Sequence, residues 1–187
     1  MTKQIKDILH FDRNEYTLNV ELLESYFSDH LERRPRPRVM MTALWRGYVA
    51  TFEIKNDELF VKDLEIFTNL EKWATESVLD KAFPDSKKLT WFSGLVRIDE
   101  YRGEYDDEKP GSIFKFLEIR NGNLIKLRSL SYEELQLFKN EQFALFKQSG
   151  NYDPILSHLK NKGMTDEKAN DFIAENILEY TKEVLVD

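Results

Sequence analysis

The chain has 187 residues, 41% of them hydrophobic and 13% aromatic, which is enough to bury a core and offset the entropy of ordering. Its 27 basic and 34 acidic residues leave a net charge of −7, against a general nucleic-acid binder, which needs a surplus of cations to neutralise phosphates. There is no cysteine, so disulfides, zinc–thiolate centres and cysteine nucleophiles are excluded.

In chain order, "KDILHFDRNEYTLNV" alternates as a short hairpin with "DRNE" as its turn. "ELLESYFSDHLE" reads as a short helix with Leu22, Tyr26 and Phe27 along its apolar stripe. "RRPRPR" then brings Arg33, Arg34, Arg36 and Arg38 together. Its two prolines remove donors and fix φ, so it is expected to be an extended connector.

"MMTALWRGYVATFEI", the turn "KND" and "ELFVKDLEIF" form a second hairpin, with Leu44, Arg46, Tyr48, Ala50, Phe52 and Ile54 on one face. Around Lys62-Asp63 the apolar phase slips by one residue, the signature of a β-bulge. "TNLEKWATESVLDKAF" reads as a helix capped by Thr68 or Asn69, with Leu70, Trp73, Val78 and Leu79 inward and Pro84 past its end. "KLTWFSGLVRI" is apolar on both faces, as a central strand is, and Asp99 to Gly111 is a polar loop with an acidic run at Asp106 to Glu108.

"SIFKFLEIRNGNLIKLRSL" carries Asn121-Gly122, a strong hairpin signal. From Ser131 the period becomes helical. Ser131 and Glu134 stand at capping-box spacing, with Leu135, Phe138, Leu145 and Phe146 as the stripe. A short helix follows, with Pro154 in its first turn and Gly163 at its end. A last helix is capped by Thr165, its stripe running through Ala169, Phe172, Ile173, Ile177, Tyr180 and Val184.

The order implies an α+β fold: a mostly antiparallel twisted sheet built from hairpins with one or two packing helices, followed by a C-terminal helical segment. Residues 1–130 are expected to form the sheet domain and 131–187 a helical segment or subdomain. The latter is the acidic part, with six basic against eleven acidic residues.

Chemistry is sparse. His10, His30 and His158 fall in three different expected elements, and no G-x-S-x-G elbow, P-loop, G-x-G-x-x-G, H-x-x-x-H or calcium-loop frame occurs. No metal or cofactor is expected, and the reading leans away from an enzyme. No signal-type segment opens the sequence and no apolar run approaches the roughly 20 residues of a membrane span, so a cytoplasmic protein without membrane contact is the expectation.

Two constellations carry a binding reading. The first is an aromatic–arginine sheet face, with Arg46, Tyr48, Trp91 and Arg97, joined by Trp45, around a small anionic or planar ligand. The alternative there is architectural, with Arg46 and Arg97 paired to carboxylates such as Glu53 or Glu118, because a buried guanidinium must be compensated. The second is anion contact through Arg33, Arg34, Arg36 and Arg38, against which stands a plain linker.

"ALWRGYVATFEIKNDELFVKDLEI" with "WFSGLVRI", preceded by "EYTLNVELLESYF", resembles a set of uncharacterised bacterial proteins. In these, W-R-G-Y opens a hairpin and W-[FY]-[ST]-G-x-h-R-[IL], h being apolar, follows a helix. The resemblance covers roughly residues 5–130 and implies a recurrent bacterial α+β domain, without implying an activity. The leading expectation is therefore a non-enzymatic protein acting by binding a protein partner or a second copy of itself, antitoxin-like or immunity-like where its acidic face would occlude a basic partner.

Overall fold

The computed structural model describes residues 3–100 and 110–186, except for the side chains of residues 99 and 100. The loop expected at Asp99 to Gly111 lies mostly outside them, as does its acidic run; residues 99 and 100 themselves end a strand.

The chain is α+β, with eight strands and a largely C-terminal set of helices among the described residues. Strand β1 (Asp7–Phe11) turns into β2 (Asn14–Leu18) through Asp12 and Arg13, both at positive φ, as a two-residue hairpin turn requires. Helix α1 (Glu24–Asp29) buries Tyr26 and Phe27, as its stripe implied. A tight turn at Leu31–Arg33 leads into the proline segment, where Arg34 is extended. Strands β3 (Val49–Lys55) and β4 (Glu58–Asn69) pair across Asn56-Asp57. Thr51 faces Asp63 while Phe52 faces Val61, so Lys62 is the extra residue of the bulge legible in the sequence.

The segment expected to be a helix from Thr68 is not one. Thr68 and Asn69 continue β4, and a turn follows in which Asn69 Oδ1 accepts from Lys72 N and Trp73 takes φ +50°. The chain returns as β5 (Ala74–Ser77) along β4. Thr75 and Ser77 donate hydrogen bonds to Glu65 and Asp63 on that strand, and helix is left only at α2 (Leu79–Ala82). Pairing to an existing strand edge has overridden local helix propensity.

Strand β6 (Gly94–Glu100) is shorter than expected, because residues 89–93 form a turn. Strands β7 (Ile113–Arg120) and β8 (Asn123–Ser131) close the Asn121-Gly122 hairpin, again with both turn residues at positive φ.

The order β3-β1-β2-β6-β7-β8-β4, with β4 back on β3, makes a seven-stranded barrel, and β5 hangs on β4. The mostly antiparallel twisted sheet expected from the sequence thus closes on itself into a barrel. Among the described residues all pairings of these strands are antiparallel except β1 with β3. The closing seam is narrow. Glu58 pairs with Asn123, Leu59 N donates to Gly122 O and Leu124 N to Asp57 O, and Lys88 bridges Glu58 and Asn123. Inside lie Leu9, Leu18, Phe52, Val61, Val96 and Leu117, and α1 seals one side of the same core with Leu23 and Phe27.

The helical segment packs on the outer face of β6 and β7. Leu95, Phe114 and Phe116 meet Leu135 and Phe138 of α3 (Tyr132–Phe146). Ser131 and Glu134 form the full capping box. Helices α4 (Tyr152–Asn161), α5 (Asp166–Glu175) and α6 (Ile177–Tyr180) share a further cluster with Phe146. The last helix, expected as one run from Thr165 to residue 186, is broken at Asn176 into α5 and α6 and ends at Tyr180; residues 181–186 form a non-helical strap.

Candidate interaction site

The buried arginine organises this region. Asp7, at the start of β1, is buried, and its Oδ1 accepts from Ala50 N at 2.8 Å and Arg46 Nη2 at 2.7 Å. The Arg46 side chain is 5% exposed, and its Nη1 lies 3.4 Å from Glu21. Burial pushes the Asp7 carboxyl up to about 6, with the Arg46 charge and the Ala50 N–H opposing the rise. Asp7 Oδ2 and Arg46 Nε are buried without a hydrogen-bond partner. The expected counter-ions were different. Glu53 sits half-buried on β3, and Glu118 is engaged by Arg128 at 3.0 Å. Asp7 was missed because it lies 39 residues from Arg46, so nothing local in the sequence couples the two.

Arg46 is also not on a strand. Leu44 to Gly47 form a turn, with Gly47 N donating to Leu44 O, and β3 begins only at Val49. The guanidinium lies 5.5 Å from the centre of the Tyr48 ring. The Tyr48 hydroxyl donates to Glu24 at 2.7 Å, and burial followed by this carboxylate raises its pKa strongly. Glu24 in turn accepts two hydrogen bonds from Arg34, both at 3.0 Å. That is the paired geometry in which arginine holds a carboxylate best.

Of the expected aromatic–arginine face, only Arg46 and Tyr48 meet. Trp91 lies in an aromatic stack, 4.4 Å from Tyr26 and 5.8 Å from Phe83, and Phe27 stands between Tyr26 and Tyr48. Arg97 is on the other face of β6, over Phe114 at 4.9 Å. In the "RRPRPR" segment, Arg33 donates to the Tyr26 hydroxyl and to Asp85, Arg34 is held by Glu24, and Arg38 pairs with Glu76 at 2.8 Å. Arg36 is exposed. Much of that arginine run is thus engaged within the fold.

The feature with outward reach is Trp45. It is 77% exposed between buried Leu44 and buried Arg46, and Met40 nearby in sequence is 68% exposed. The loop bearing them is fastened at several points. Ile5 N donates to Ala43 O, Gln4 donates to Thr42 O and accepts from Trp45 N, and Leu44 N donates to Met41 O. Gly47 takes φ +84°, and a Cβ there would stand 2.8 Å from Pro37 Cγ, so the proline segment packs against the turn. Trp45 entered the sequence reading only as a pocket residue; its exposure follows from the turn, which alternation did not reveal.

Among the described residues the three histidines stand apart from one another. His10 lies 3.7 Å from Glu15 and His30 the same distance from Glu32, each a surface pair, while His158 is on α4. Among the described residues no group of three or more ligating side chains comes together for a metal ion. Among them, too, no helix is long and apolar enough to cross a membrane. Compared with family models, curated proteins and solved structures, the chain matches none.

Proposed function

We propose that this protein acts by protein–protein binding, through the loop carrying Arg36, Met40 and Trp45. The partner it fits has an apolar pocket bordered by carboxylates. One observation carries the reading: Trp45 is 77% exposed on a loop whose neighbouring residue is locked into the core by an ion pair. Trp, Met and Arg are the residue types enriched in interface centres, and a fixed loop loses little entropy on docking. In this light W-R-G-Y is a unit: Trp45 outside, Arg46 inside, Gly47 the bend that allows both, and Tyr48 the first core residue.

The test compares two exposed tryptophans. A photo-crosslinking residue at exposed position 42, on the same loop with Trp45 left in place, identifies the partner, and the affinity of the purified pair is then measured for Trp45→Ala and Trp73→Ala. Trp73 is 66% exposed and packs edge-on against Phe67 instead. The expected outcome is a loss of about 30-fold or more for Trp45→Ala and little change for Trp73→Ala. Wild-type affinity in Trp45→Ala overturns the proposal. So does binding of protein-free anionic vesicles that depends on Trp45, which would make the target a lipid surface.

A further inference from the structure

A different part of the molecule builds a cavity. Where α6 ends, the strap of residues 181–186 is held by Gln142 of α3, a fully buried amide. Gln142 Nε2 donates to Thr181 Oγ1 at 3.2 Å and to Glu183 O at 3.0 Å, and its Oε1 accepts from Leu185 N at 2.9 Å. The strap, the end of α3 and the α3–α4 connection enclose a cavity of about 330 Å³, open on one side. Phe146, Tyr180 and Leu185 line it with apolar surface, and Arg120, Lys182 and Glu183 also border it.

The polar groups of this lining differ in what they have left to give. The Thr181 hydroxyl donates to Ile177 O and accepts from Gln142, and the Ser149 hydroxyl donates to Phe146 O and accepts from Asn151 N. Arg120 is different. Its guanidinium stands 3.9 Å from Glu118 and 4.0 Å from Glu183, beyond hydrogen-bond distance from both. Lys182 is exposed. Two cations and one carboxylate therefore face a partly apolar space.

We infer that this cavity binds a small monocarboxylate with an apolar body. The carboxylate lies on Arg120 and Lys182, and the body lies against Phe146, Tyr180 and Leu185. Glu183 makes the lining singly positive, which suits a monoanion and disfavours a more highly charged one. At roughly 30 Å³ per water-sized group the space holds about ten such groups, the size of a phenyl ring with a short acid chain.

The probe is phenylacetate, followed by amide chemical shifts in the full chain, with phenylethanol and inorganic phosphate as comparators. Saturable shifts at Leu185 and Ser149 are expected, with a dissociation constant on the order of 1 mM, as for a ligand of this size. Arg120→Gln should weaken binding about tenfold, since a charge-assisted contact is removed, without unfolding a protein in which that side chain is 53% exposed. Leu185→Asp should abolish it by placing a like charge against the ligand. The inference is overturned if phenylethanol binds as well as phenylacetate, if Arg120→Gln binds like wild type, or if the shifts do not saturate. Phosphate binding as tightly as phenylacetate overturns it too, because the apolar body would then contribute nothing.

Discussion

Replacing Arg46 by Met removes the cation from Asp7 while keeping much of the apolar stem. Asp7 and Arg46 have side chains only 1% and 5% exposed and meet at 2.7 Å, so the carboxylate is left buried and uncompensated. Breaking such a pair from one side costs about 3–5 kcal/mol. In a domain of this size that corresponds to a fall in Tm of about 10 °C or more. The cost depends on pH, and its sign is fixed by Asp7. The wild-type carboxyl is raised from 3.8 to about 6, so between those values the folded state binds the proton more tightly than the unfolded one. This group's contribution is therefore fully present below 3.8 and is lost as pH rises through 6, an effect of roughly 3 kcal/mol. Without Arg46 the folded value rises further and the loss extends to higher pH. Urea unfolding followed by circular dichroism, near pH 7 and near pH 5, should show the variant's deficit shrinking on acidification. Parallel pH–stability curves for variant and wild type would refute the assignment of Asp7 as the group Arg46 neutralises.

Two further variants probe the closures of the fold. Gly122→Ala must hold φ +72° with its Cβ 2.7 Å from Leu89 O, backbone that cannot swing away at the barrel seam. A cost of about 2 kcal/mol or more in urea unfolding is expected, against a smaller one for Gly111→Ala, which has φ +89° and nothing within 4 Å. Equal costs would show that φ alone matters there. Gln142→Leu strands Leu185 N–H and Glu183 C=O, and hydrogen exchange at Leu185 should accelerate about 100-fold while β7 amides are little changed. Unchanged exchange at Leu185 would mean that the strap is held by its apolar contacts.

What was legible in the sequence was local. Asn121-Gly122 and Ser131 with Glu134 declare themselves within a few residues, and the Lys62 bulge is visible because a period of two cannot absorb an extra residue silently. The segment after Thr68 failed for the opposite reason. Its Leu70, Trp73 and Val78 satisfy helical spacing, and only β4, already in place, offers the edge on which Ala74–Ser77 becomes a strand. Barrel closure joins residues some 65 positions apart, Glu58 with Asn123 and the flanking Leu59–Gly122 and Leu124–Asp57 hydrogen bonds; alternation within each strand is the same for an open sheet. The strap was hidden because the stripe through Tyr180 and Val184 continues smoothly, whereas Thr181, Glu183 and Leu185 are captured by Gln142 on another helix.

Alternation placed Leu44, Arg46, Tyr48, Ala50, Phe52 and Ile54 on one face; the first five are buried and Ile54 is half-buried. It did so although the first part of that run is a turn, because the bend at Gly47 preserves the inward sense across the break. The buried pair that results is a costly way to gain stability, as the raised Asp7 pKa records. An apolar pair of similar volume often does as well or better. What the ion pair supplies is direction, since Arg46 reaches Asp7 and Glu21 together in the loop geometry that leaves Trp45 exposed. The double variant Asp7→Leu/Arg46→Met separates the two roles. It should recover most of the stability lost in Arg46→Met and still bind the partner less tightly than wild type, because Trp45 is no longer held for docking. Full recovery of both would leave the arginine of this turn with no part in presenting the tryptophan.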